Sequence, residues 1–438
     1  MTTDSLAPAG LAGVDVVIEA TAPEADPLAG FLASEGARTR IVTPAELDRA
    51  PLAGAAFLDA WTPELSARVI GLRDNGALVT CLADLLLARA ATRTIGVTGT
   101  AGKTTTTALL DQLLRAAGID VSLPEPGLSG NLWPDASILG VLGGSTRIVV
   151  ELTSSHLAFC GHSPDVAVVT SFWPDHIELH GSIDAYRRAK GAIVRGQAAG
   201  SWLVVPADGS CEDFVSTTPA SVARFSITEQ IERGAFVRGN RVVVRWQDEE
   251  HDLGSVDGLP VRGACVANAL AACAAALVSG APPAAIAGGL GDLRIPPHRL
   301  VEIARVDGVP VYDDSMAGTP AKARAALELF ADDSITLVAG GRTLGAAGAV
   351  HATVDERELL EAACAVARRK ARRVVAFGSA AECLSSLLPG CEIAETLDAA
   401  VELAVADATG TQAVLVAPMF PVAPDERTRV AELVSSLL

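Results

Sequence analysis

Three α/β domains, each built on a mainly parallel sheet, are the fold class that this sequence predicts. Short β-rich apolar runs alternate with helical patterns along the whole chain, the pattern of repeated βαβ units. The length, 438 residues, exceeds what one ordinary core accommodates. A glycine-rich turn near residue 100, set between a strand pattern and a helix pattern, marks a ligand-binding loop at a sheet edge.

Residues 14–19 and 39–42 read as strands around a helix near 27–35, and 55–59 and 77–81 continue the alternation. A second segment opens with a strand over 94–98, a loop, and a helix whose Leu109, Leu110, Leu113 and Leu114 share one face before Gly118 ends it. Strands over 147–152, 166–170 and 202–205 follow, and the alanine-rich run 267–278 closes the segment as a buried helix. Ile295-Pro296-Pro297 then breaks the pattern. Beyond it, strands over 309–312, 335–339, 373–377 and 413–417 alternate with helices, two of them opened by the capping threonines Thr353 (with Glu356 three residues on) and Thr396. The expected domains are 1–93, 94–293 and 294–438.

Composition narrows the function classes. Hydrophobic residues at 50% and charged residues at 20% exclude a disordered chain. A net charge of -18, from 34 basic and 52 acidic residues, argues against a nucleic acid or an anionic membrane as partner. Asn268, Ser279, Gly280, Pro282 and Pro283 interrupt the one stretch that resembles a span, and the N-terminus lacks a basic region followed by an apolar run, so a cytoplasmic protein without a membrane segment is expected. The eight cysteines are scattered with no CxxC pair, which predicts small buried hydrophobes rather than disulfides or a zinc site.

The strongest motif is Gly99-Thr100-Ala101-Gly102-Lys103-Thr104-Thr105. Glycines let successive amides and a helix N-terminus converge on phosphate oxygens; Lys103 offers a point charge and the Thr104 hydroxyl suits Mg²⁺. Only four lysines occur in the chain, so one directly after this turn points to function. Glu151 ends an apolar strand, where a parallel sheet faces its ligand, and is a candidate metal partner. Taken alone it is equally consistent with a surface charge. Asp175-His176 offers a second ligand pair at the same edge, and Lys190 lies fourteen residues further on in a helical pattern, where a solvated lysine is the plain alternative.

These segments, with Glu151-Leu152-Thr153-Ser154-Ser155, Asp175-His176-Ile177-Glu178-Leu179-His180, Tyr186-Arg187-Arg188-Ala189-Lys190, Ser129-Gly130-Asn131, Asn268-Ala269-Leu270, Pro297-His298-Arg299 and Asp313-Asp314-Ser315, stand in the order and spacing that resemble the Mur ligase family. The resemblance covers the second and third segments well and the first poorly. It implies a Rossmann-like N-terminal domain of UDP-substrate type, a central P-loop ATPase-type domain and a Rossmann-like C-terminal domain that binds the acceptor. It further implies that Gly99, Thr100, Gly102, Lys103, Thr104 and Thr105 hold ATP phosphates, with Asn268 near the adenine, Arg299 at the γ-phosphate and Asp314 at the ribose. Thr104 and Glu151 would share one Mg²⁺, and His176 a second with Lys190 carried as a carbamate, an anionic oxygen ligand suited to a hard cation. Asn131, Thr153, His156 and Arg342 would face the substrates. The implied reaction is ATP-dependent amide formation from a small-molecule carboxylate and an amine through an acyl phosphate, with domain closure excluding water; the oligomeric state is not legible.

The sequence also departs from the family pattern. Where a glycine-rich turn receives UDP, residues 17–24 carry no glycine and two acids. The usual loop asparagine is Ala101. The acceptor motif reads Asp314-Ser315-Met316-Ala317-Gly318-Thr319, without its lysine and first threonine; a further lysine aligns with Leu344, and a serine-bearing loop has become residues 417–422. The expectation is therefore a ligase with altered substrate pockets. Alternatives are a family member with unaltered substrates in peptidoglycan synthesis and a non-catalytic ATP-binding regulatory homologue.

Overall fold

The computed structural model describes residues 2–48, 54–126, 131–259, 264–343, 354–408 and 410–436. Thr353, Leu344 and Ser129-Gly130, all singled out above, lie outside them.

Among the described residues there are three sheets. The first comprises β1 (Asp15–Glu19), β2 (Arg38–Val42), β3 (Ala55–Phe57) and β4 (Leu78–Thr80), all parallel in the order β2-β1-β3-β4. The second comprises β5 (Thr94–Thr98), β6 (Val121–Ser122), β7 (Arg147–Glu151), β8 (Val166–Val169), β9 (Trp202–Pro206), β10 (Ser221–Ser226), β11 (Gly234–Arg238), β12 (Arg241–Trp246) and β13 (Glu249–Ser255). Their order is β13-β12-β11-β10-β9-β8-β5-β7-β6, so the glycine loop leaves a central strand whose neighbours are β7 and β8. The third sheet holds β14 (Val301–Val306), β15 (Val309–Asp313), β16 (Ile335–Gly340), β17 (Ala371–Phe377), β18 (Glu392–Ala394) and β19 (Ala413–Met419) in the order β14-β15-β19-β16-β17-β18.

The expected parallel α/β class is observed, with antiparallel additions that the alternation pattern missed. Strands β11, β12 and β13 form a meander, and β14 pairs antiparallel with β15. Their connections are two residues long, too short for a parallel crossover. Gln247-Asp248 and Asp307-Gly308 both turn with positive φ, as tight hairpins require, and the Asp-Gly pair between Val306 and Val309 was a readable hairpin signal.

Two compact units result, Met1–Arg294 and Ile295–Leu438. Within the first, one core runs from Leu6, Ile18, Phe57 and Leu85 through Ile148, Val169 and Phe214, so the first two sheets share their apolar interior. In the second unit, Leu337, Ala376 and Leu415 point to one face of the sheet and Val338, Val375 and Val416 to the other, as alternation along a doubly covered strand demands. The eight cysteines are free, six of them buried. No helix among the described residues is long and apolar enough to cross a membrane.

Asp84 ties the two sheets of the first unit together. It is fully buried on the helix Leu82–Ala90, accepts from the backbone N–H groups of Gly161 (2.9 Å) and His162 (3.0 Å) and from Thr80 Oγ1 (3.0 Å), and pairs with His162 Nδ1 at 2.9 Å. Asp84→Ala strands these donors and is expected to cost about 3 kcal/mol in chemical denaturation. The hydrogen bond to Asp84 and its charge hold the His162 imidazole above its ordinary value. A raised folded-state value stabilises fully below the unfolded value of about 6.5 and is lost as pH rises through the folded one. The stability gap between wild type and His162→Gln should therefore be largest in acid and shrink above neutrality.

Candidate active site

The glycine loop crosses the carboxyl end of β5 between those of β7 and β8. Gly99 (φ +147°) and Gly102 (φ +84°) adopt backbone angles that side chains disfavour, and a Cβ at either would collide, with Thr170 Oγ1 at Gly99 and with Asn268 Oδ1 at Gly102. The loop is fixed by neighbours on the β8 side: Thr170 Oγ1 donates to Ala101 O (2.5 Å), Ser171 Oγ accepts from Ala101 N (3.0 Å), and Thr100 N donates to Ser171 O (3.0 Å). Thr100 Oγ1 sits 2.9 Å from both Trp173 O and Tyr186 Oη. Gly102 then caps the helix Lys103–Ala116, where Thr104 and Thr105 are buried in the first turn.

Two lysines converge on one oxygen. Lys103 Nζ donates to Gly99 O (2.9 Å) and Thr100 O (3.1 Å), while Lys190 Nζ donates to the same Gly99 O at 2.8 Å. Lys190 is 1% exposed on the helix Ile183–Arg195, its nitrogen 4.9 Å from the centre of the Tyr186 ring. On the β7 side, Thr104 Oγ1 donates to Glu151 Oε2 at 2.5 Å and lies 3.4 Å from Asn131 Oδ1; Leu132 N also reaches Glu151 Oε2. Glu151 is buried, so the strand-end carboxylate is part of the site rather than a surface charge.

His176 has a positive φ of 53° and its Nε2 lies 3.7 Å from the buried Asp175 carboxylate. Its ring lies 6.5 Å, centroid to centroid, from Tyr186, the same ring that Lys190 approaches. Thr153 caps the short helix Ser154–Leu157 through His156, whose Nδ1 accepts from Thr153 N (3.3 Å), leaving the neutral ring's proton on Nε2. Burial pushes the His156 imidazole down to about 4, so it is uncharged at neutral pH.

In the second unit, taken by itself, Asp314 and Arg299 lie near each other at the end of β15. Burial pushes the Asp314 carboxyl up to about 8 against the pull of Arg299 and Lys322. The turn before β14 is strained, with φ +62° at His298 and +54° at Leu300, and His298 Nδ1 is 2.7 Å from the buried Asp313. Strain of this kind persists only where surrounding structure imposes it, commonly at ligand sites. Arg342 is 65% exposed, with Nη2 3.3 Å from Glu426 Oε2. Met316 is half-buried, whereas Val422 belongs to the same buried cluster as Val416 and Val430.

Sequence reasoning did not single out Thr170 and Ser171, which hold the loop, or Arg427, and it gave Tyr186 no role of its own within the segment that ends at Lys190. Arg427 is half-buried; burial and neighbouring Arg299 hold its guanidinium below its ordinary value. None has a local signature: each is recruited by a strand end or helix face distant in sequence.

A phosphate-type loop leaving a central parallel strand, with a carboxylate on the next strand and a buried lysine beneath the turn, defines a nucleotide-binding α/β protein. Residues 97–276 match the Mur ligase middle domain and residues 298–420 the glutamate ligase domain of Mur ligases. The UDP-N-acetylmuramoylalanine–D-glutamate ligase of Symbiobacterium thermophilum is 34% identical over 296 residues, 66% of this chain and 63% of that protein, so the match spans less than two thirds of that relative's length. The enzyme of the same name from Solibacter usitatus is 31% identical over 74% of this chain and 70% of its own. The MurF ligase of Thermotoga maritima, solved in complex with ADP, superposes with a TM-score of 0.62 at 17% identity, covering 97% of this chain and 96% of that one. The chain belongs to the Mur ligase family, whose members are ATP-dependent ligases.

Proposed function

We propose that this protein is an ATP-dependent ligase that joins a small-molecule carboxylate to an amine through an acyl phosphate. The observation that carries this reading is the convergence of Lys103, Lys190 and the Thr104–Glu151 pair on one glycine loop. The donor set fits its ligands. An ammonium and the loop amides suit phosphate oxygens, and a hydroxyl beside a carboxylate suits a hard cation such as Mg²⁺. Thr104 and Glu151 would hold one such cation, which would supply positive charge against the phosphate oxygens. A second would fall to His176 and to Lys190 as a carbamate. Two ammonium groups on one carbonyl oxygen repel; converting Lys190 to a carbamate removes that repulsion and supplies the anionic oxygens that a cation needs. Asn268, whose side chain lies against Gly102, would meet the nucleotide beyond the phosphates.

In this reading the chain contributes position and charge. Lys103 and the loop amides neutralise phosphate oxygens, Lys190 and His176 hold the carboxylate's surroundings, and the neutral His156, with Thr153 and Asn131, orients the acid by hydrogen bonds. ATP supplies the phosphoryl group; the substrate carboxylate receives it, and an amine then displaces phosphate from the acyl carbon. The test is ADP release across pairs of acids and amines, including UDP-N-acetylmuramoyl-L-alanine with D-glutamate. Absence of acid-dependent ADP release with every pair would overturn it.

The acceptor pocket makes D-glutamate a poor amine substrate in this proposal. Met316 stands where a lysine-bearing motif would hold a carboxylate, and Arg342 is engaged by Glu426. A carboxylate without paired donors costs several kcal/mol, roughly a thousandfold in affinity. Steady-state assays over a set of amino acids should give D-glutamate a Michaelis constant far above the best acceptor; a sub-millimolar value would favour an ordinary D-glutamate-adding ligase of peptidoglycan synthesis.

A further inference from the structure

This inference rests on the ligase reading and concerns its acid substrate. In an open parallel sheet the ligand crevice lies beyond the carboxyl ends of the strands where strand order reverses. In the first sheet the reversal falls between β1 and β3. Glu19 ends β1 and Asp59 follows β3 by two residues. Glu19 is 2% exposed and firmly held: Asp59 N (3.0 Å) and Thr62 Oγ1 (2.6 Å) donate to its Oε2, and Arg68 Nη1 lies 2.9 Å from its Oε1. Arg68 is also engaged by Asp48 at 2.7 Å. Asp59 and Asp135 both act on the half-buried Glu24, whose carboxyl burial pushes up to about 7. Glu24, Glu125 and Asp135 line a neighbouring depression of about 460 Å³. A diphosphate entering here would meet Glu19, Asp59 and Asp135, while Arg68 is already shared between Glu19 and Asp48. Repulsion of that kind, in a partly desolvated crevice, disfavours an anion.

Beside the acids runs a row of rings. Trp61, adjacent to the Thr62 that holds Glu19, is 51% exposed and meets Trp133 edge to face at 5.6 Å. Trp133 in turn meets His156 at 5.9 Å. Its indole Nε1–H is buried and has no acceptor among the described residues. The row leads from the crevice of the first sheet to the helix that follows Glu151, the carboxylate of the loop site. We propose that the acid substrate carries no phosphate and lays an uncharged ring-bearing body along Trp61 and Trp133, with its carboxylate toward His156 and the glycine loop.

Calorimetric titration of the full chain tests this, with UDP, cinnamate and ATP as probes. Wild type should bind cinnamate and show no heat with UDP at millimolar concentration. Trp61→Ala should weaken cinnamate about tenfold, the scale of one aromatic contact. Asp59→Asn and Glu19→Gln should each raise UDP affinity, and ATP affinity should hold in all three variants. Micromolar UDP binding by wild type, undetectable cinnamate binding, or equal cinnamate affinity in Trp61→Ala overturns the proposal. Loss of ATP binding by the wild type would instead sink the ligase reading beneath it, so the two failures are distinguishable.

Discussion

Lys103→Ala is expected to abolish measurable turnover, lowering it by about a thousandfold, and to weaken ATP binding in calorimetry. Removing one preorganised charge or donor from a phosphate or oxyanion site costs about two to three decades, and here the charge has no local substitute. The other lysine at the loop, Lys190, is buried beneath it on Gly99 O, and the remaining two, Lys322 and Lys370, belong to the second unit. Lys103 Nζ donates to loop carbonyls in its own turn, Gly99 O and Thr100 O, and the melting temperature is expected to stay unchanged in the variant. Unaltered melting with unaltered ATP affinity would remove the loop from the nucleotide site.

Lys190→Ala should lose activity by two decades or more on the same scale, and short-chain carboxylic acids should restore part of it. A carbamate presents a carboxylate-like pair of oxygens at the end of a buried stem; acetate or propionate entering the cavity left by the side chain would replace those oxygens. Rescue by acid distinguishes this role from a structural one, since the Gly99 O bond and the Tyr186 ring contact would be lost equally in a purely structural case and not returned by acetate. Carbon-13 bicarbonate should add a carbamyl resonance to wild type that Lys190→Ala lacks. Full activity of the mutant without added acid, or no such resonance, would refute the assignment.

Much of the fold was readable because its signals are local. The alternation of apolar runs and amphipathic helices places β5, β7, β8 and the end of the helix Lys103–Ala116 within a residue or two, and the glycine loop announces itself by residue type. The hairpins of the second and third sheets were overlooked because polar residues in β13 and β14 blur the apolar pattern, although two of their turns, Gly239-Asn240 and Asp307-Gly308, carry hairpin residue pairs. Thr396 caps its helix as expected, accepting from Ala399 N.

The candidate site divides in the same way. Sequence by itself determined the candidates: Lys103 and Thr104 stand out by motif, Glu151, His176 and Lys190 take their proposed roles from the family resemblance, and the lack of glycine at 17–24 is visible in the letters. Tertiary structure alone decided that Lys103 and Lys190 share the Gly99 carbonyl, that Thr170 and Ser171 brace the loop, and that Trp61, Trp133 and His156 line up between two sheets. Glu19 shows the reason. Its position at a strand end follows from the local pattern, but its burial against Thr62 and Arg68 depends on chain 43 and 49 residues away, and periodicity carries no information about which distant side chains a strand end will meet.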